Sequence, residues 1–120
     1  MIDKYKNNAI ELKKNIEVLD NTFSKFGLKI LNVGGLDYAE FLGGNGIKFF
    51  VEIMSDEDID SDDYLQLKIN VYDENDDLIS MGSTGIDMSE FSGYDTVDLV
   101  VFADDIFERA VKARVYLAKS

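Results

Sequence analysis

The sequence predicts an α+β, mainly β fold: an N-terminal amphipathic helix packed on an antiparallel β-sandwich of about seven strands. Two observations carry that reading. Apolar residues repeat at helical spacing up to Gly27, and beyond it they alternate with a period of two. Tight-turn chemistry then punctuates the alternating segments at Gly34-Gly35, Gly43-Gly44-Asn45-Gly46 and Asp73–Asp77.

The helix is expected over 2–26. Ile2, Tyr5, Ala9, Leu12, Ile16, Leu19, Phe23 and Phe26 follow one another at intervals of three and four, which draws one apolar stripe. Asp3 suits the N-cap, Lys25 the last turn, and Gly27 the left-handed position that ends a helix. Two uses of the stripe are open. It is either a heptad seam that forms a homodimer or a face laid across the chain's own sheet. Irregular seam residues (Ala9, Phe23, Phe26) favour the second.

Four strands follow from alternation. Ile47, Phe49, Val51 and Ile53 form one buried row, and Leu65, Leu67, Ile69 and Val71 form another. Val97, Leu99 and Val101 form the third, and Val111, Ala113, Val115 and Leu117 the fourth. Further strands fit Leu28–Val33, Asp37–Leu42 and Leu78–Ile86, and Asp104–Ala110 fits a short helical turn. Phe50, Met54, Val100 and Phe102 are apolar on the opposite phase, as expected if the N-terminal helix covers part of the second face. The chain has no Pro to block sheet edges, and Asp98, Asp104 and Asp105 flank the aggregation-prone run Leu99–Phe102. One domain over 1–120 is expected, with helix 2–26 and sandwich 27–120.

Charge is divided along the chain. Residues 1–30 hold six Lys against four Asp/Glu; residues 31–120 hold six Lys/Arg against twenty Asp/Glu. The second part is thus at −14 within a total of −12. Between Glu52 and Glu108 eighteen carboxylates stand against one base, Lys68. Strand alternation runs through the same stretch, so the acidity belongs to a folded surface rather than a disordered tail. Such a surface repels nucleic acid and anionic membranes and attracts cations or basic proteins.

There is no Cys and no His, which excludes disulfides, thiolate nucleophiles, His-based triads and the usual zinc ligands. The start, MIDKYKNNAIELKK, has no apolar targeting core, and no apolar run has bilayer length. A soluble cytoplasmic chain is expected. A carboxylate-pair hydrolase would need two inward-facing acids, and Glu52 and Asp98 are the pair on strands to examine. No catalytic, cofactor-binding or metal residue is assigned, and no cofactor is expected.

Two Asp-rich loops remain, Asp56–Asp63 and Asp73–Asp77. Neither is an EF-hand: the sixth and twelfth positions are Ser61 and Leu67 in one, Leu78 and Thr84 in the other. Leu67–Ile79, followed by Gly82 and Ile86–Phe91, resembles part of a calcium-dependent phospholipid-binding (C-two) domain. The strand end Ile69-Asn70-Val71-Tyr72-Asp73 is also similar to FxLYD-type sandwich modules, which carry no characterised catalytic site. The C-two resemblance implies calcium ligands at Asp73, Asn75 and Asp77, with Asp58 or Asp60 from the neighbouring loop. The other reading of Asp73–Asp77 is a solvated hairpin turn. The expected function is a non-enzymatic acidic interaction protein of inhibitor, immunity or adaptor type that captures a basic protein partner. A calcium-binding module is the alternative.

Overall fold

Alternating residues can bury one face only if a second layer covers it, and here two sheets cover each other. In the computed structural model the described residues are 6–41, 44–55 and 63–119. In chain order the elements are α1 (Lys6–Lys14), β1 (Ile16–Val18), α2 (Asp20–Ser24), β2 (Leu28–Phe41), β3 (Gly44–Ser55), β4 (Tyr64–Tyr72), β5 (Leu78–Asp87), β6 (Tyr94–Phe102), α3 (Ile106–Arg109) and β7 (Lys112–Lys119). One sheet has the order β1-β7-β4-β5 and the other β2-β3-β6. The β1–β7 pair is parallel; the other neighbours are antiparallel.

The core lies between the sheets, on the residues whose alternation predicts it. Ile47, Phe49, Val51 and Ile53 of β3 and Leu65, Leu67, Ile69 and Val71 of β4 are fully buried. Leu99 and Val101 of β6 and Ala113, Val115 and Leu117 of β7 complete the two inner faces. Each fully buried aliphatic side chain contributes about 1.5–3 kcal/mol relative to exposure. The edges β5 and β6 approach closely at Gly82, where a Cβ would stand 2.7 Å from the Val100 carbonyl oxygen. A residue without a side chain is what lets the two sheets meet at that corner.

The single helix expected over 2–26 is not formed. Residues 2–5 lie outside the described residues, and from Lys6 onward the segment is helix, strand, helix. Asn15 ends α1, its amide Nδ2 donating to the Glu11 carbonyl at 3.0 Å and to the Val111 carbonyl at 3.2 Å. The chain then adds a strand to β7: the Asn15 carbonyl accepts from Ala113 N–H (3.1 Å), and Leu19 N–H donates to the Val115 carbonyl (2.9 Å). Thr22 continues this role with its side chain, whose Oγ1 accepts from Leu117 N–H at 3.0 Å. An open strand edge with unpaired backbone groups outcompetes the weak helical preference of Ile16, Val18 and Thr22. Ala9, Leu12 and Phe23 are nevertheless buried in the chain's own core. Gly27 has φ 73°, the left-handed backbone expected of it.

Two further corrections concern glycines. Gly34-Gly35 is not a turn: both lie within β2, which joins the two strands expected there and shifts register between Gly34 and Asp37. Gly44 to Gly46 belong to β3, while residues 42 and 43 lie outside the described residues. A second shift, between Ile30 and Asn32, interrupts the same edge strand. Irregularities of this kind blunt an edge that has no Pro. The Asp73–Asp77 turn is as expected, with Asp73 N–H donating to the Asp77 carbonyl at 3.0 Å and Asp76 at φ 62°.

Candidate functional site: a charged centre and an uncovered sheet face

Asp73 is the buried charged side chain among the described residues, at 8% exposure. It leaves β4 where the hairpin turns, and its Oδ1 accepts from the backbone N–H groups of Asn75 (2.9 Å) and Asp77 (3.0 Å). Its Oδ2 accepts from Arg109 Nη2 at 2.7 Å, and Arg109 Nη1 reaches Asp105 Oδ2 at 2.6 Å. The Arg109 hydrogen bond holds the Asp73 carboxyl below its usual range, against the opposing effect of desolvation. The same guanidinium lowers Asp105, and the two carboxylates raise Arg109. A cavity of about 270 Å³ opens beside this centre, lined also by Asn8, Glu74 and Glu108.

This arrangement joins the β4–β5 turn to α3, and both Asp73 oxygens are spent on it. Asp73 Oδ2, which the C-two resemblance would give to calcium, is bonded to the Arg109 guanidinium. Asn75 and Asp77 are exposed on the turn, and Asp58 and Asp60 lie outside the described residues. Among the described residues no three metal-ligating side chains converge. Asp63 alone represents the first Asp-rich loop, in an ion pair with Lys119 Nζ at 3.2 Å.

Glu52 and Asp98 do share one face, but it is the outer one. Glu52 pairs in register with Thr96, and Asp98 with Phe50, all on the phase opposite to the buried rows. Glu52 accepts from the Tyr94 hydroxyl at 3.0 Å, and Asp98 lies 3.9 Å from Lys48 Nζ. Two outward acids on a sheet do not make the enclosed pair that hydrolysis requires.

That outer face of β2-β3-β6 holds the second feature. Phe50 and Val100 are half-buried, and Met54, Tyr94 and Phe102 are 40%, 52% and 41% exposed. The sequence places Phe50, Met54, Val100 and Phe102 under the N-terminal helix, and the structure corrects this. The helices α1 and α2 pack instead along the side of the sandwich, between β7 and β2. They are drawn there by the β7 edge and by Leu12 and Phe23. The outward phase was readable from β3 and β6, whereas Tyr94 carried no signal beyond its place in a strand.

The outer face of the other sheet carries a polar network beside the exposed Tyr64 and Met81. Glu17 accepts from Arg114 Nε at 3.1 Å, and the Arg114 guanidinium lies 5.0 Å from the Tyr72 ring centroid. Tyr116 donates to Asn70 Oδ1 at 3.2 Å, and Asn70 Nδ2 donates to the Tyr72 hydroxyl at 3.3 Å. Five polar side chains of this face thus bond or stack on one another.

No family model, curated protein or solved structure matches the chain. The C-two and FxLYD resemblances therefore stand on the quoted residues alone. No helix among the described residues is long and apolar enough to cross a membrane.

Proposed function

We propose that the protein is a non-enzymatic acidic interaction protein that captures a basic protein partner, in the manner of an inhibitor, immunity or adaptor protein. The observation that carries this reading is the state of its cations. Of the six Lys/Arg in residues 31–120, five are in ion pairs with the chain's own carboxylates: Lys48, Arg109, Lys112, Arg114 and Lys119. In that part of the chain five of the six bases are thus matched by the chain's own acids, and twenty carboxylates stand against them. A field of one sign speeds capture of the opposite sign and repels nucleic acid.

The test is calorimetric titration with a small basic protein such as a cytochrome c, from low to high salt. Association that weakens steeply as salt rises supports the reading. Absence of binding at low salt, or binding indifferent to salt, overturns it.

A further inference from the structure

We infer that residues 15–24 are a withdrawable cover for the edge of β7. In a second, less populated state the strand β1 turns helical and joins α1 to α2, while the sandwich stays folded. The sequence carries both states. Ala9, Leu12, Ile16, Leu19, Phe23 and Phe26 keep their intervals of three and four straight through β1, so the helical pattern is unbroken where the backbone is extended. Between Lys6 and Phe26 there is neither Pro nor Gly to forbid one continuous helix.

The hold of the cover on the sheet is thin. β7 has eight residues and β1 has three. Past the ends of β1, side chains stand in for backbone: Asn15 Nδ2 donates to the Val111 carbonyl, and Thr22 Oγ1 accepts from Leu117 N–H. Ile16 and Val18 are only half-buried and Leu19 is exposed, whereas the deep anchors, Leu12 and Phe23, belong to α1 and α2. The Glu17–Arg114 ion pair is exposed on both sides and adds little. Helix and strand satisfy the backbone of residues 15–19 equally well, so burial of Phe23 is what keeps the strand state the populated one. Withdrawn, the segment leaves β7 with unpaired backbone groups, the kind of edge that recruits another strand.

The experiment is native-state hydrogen exchange on the whole chain, read by amide NMR at low denaturant. Ala113 and Leu117 N–H groups bond to the cover, and β3 is the central strand of its own sheet. The Ala113 and Leu117 amides should exchange at least about tenfold faster than those of Phe49 and Val51, with a shallower denaturant dependence. Equal rates and equal slopes would mean that the segment opens only with the whole fold, and overturn the inference. Val18→Ala with Thr22→Ala raises helical preference and removes the Leu117 acceptor, which favours the second state. Carbon chemical shifts of residues 16–18 should then move to helical values while the β3 and β4 amides keep theirs. Coil shifts, or strand shifts that do not move, overturn the helical state. Should the pair fail to fold, Val18→Ala alone, at a half-buried site, is read in the same way.

Discussion

Asp73 shows how one residue can hold a turn. Its carboxylate collects two backbone N–H groups and a guanidinium, so protonating it costs all three. Because its folded pKa is depressed, the stability it adds is complete above the ordinary Asp value and is lost as pH falls through the lower folded value. Melts should therefore show an acid limb below about pH 4 that flattens in Asp73→Asn. An unchanged limb would mean that other carboxylates set acid stability. Calcium is expected to leave the midpoint where EDTA puts it, and a saturable rise would restore the calcium reading of the loops. Tyr38 is the opposite case. Its hydroxyl is buried with no hydrogen-bond partner among the described residues, and burial pushes the phenol up to about 12. Its ring stacks on Phe107 at 5.6 Å, a contact that Phe keeps. Tyr38→Phe should be neutral or stabilising by about 1 kcal/mol in chemical denaturation.

At the scale of elements, the hydrogen bonds of β7 explain the shape of the N-terminal segment. Thr22→Ala removes the acceptor for Leu117 N–H and should cost about 1–2 kcal/mol, with faster hydrogen exchange at that amide. The two sheet layers give larger effects. Leu67→Ala should lose about 2–5 kcal/mol, and Gly82→Val about 1–3 kcal/mol by pressing on the Val100 carbonyl. The strands β3 and β4 were legible because alternation along one strand is a local signal. The N-terminal segment was not, because Ala9, Leu12 and Phe23 point inward whether the chain between them is helix or strand. Whether Ile16–Val18 is helical depends on the open edge of β7, about a hundred residues away in sequence. The candidate site divides the same way. The apolar outward phase of Phe50 and Val100 is written in the strands, but what covers it depends on where the helices dock. Nothing local announces that Arg109 will find Asp73, thirty-six residues earlier.

For the whole molecule the dominant quantity is self-repulsion. A net charge of −12 on 120 residues strains the folded state, and screening relieves it. The melting midpoint at neutral pH should rise with added sodium chloride, the opposite of what salt does to partner capture. A midpoint that falls with salt would show that the internal ion pairs outweigh the repulsion.

Lys48 lies 3.9 Å from Asp98 on the outer face of the β2-β3-β6 sheet, where Lys29 also stands, in register with Met54. A basic side chain arriving there must compete with Lys48 for the same oxygen, so the molecule carries a built-in rival to its own ligand. Lys48→Gln should then speed the association and lessen the selectivity: a tethered counter-ion sets the threshold of charge that a visitor has to exceed.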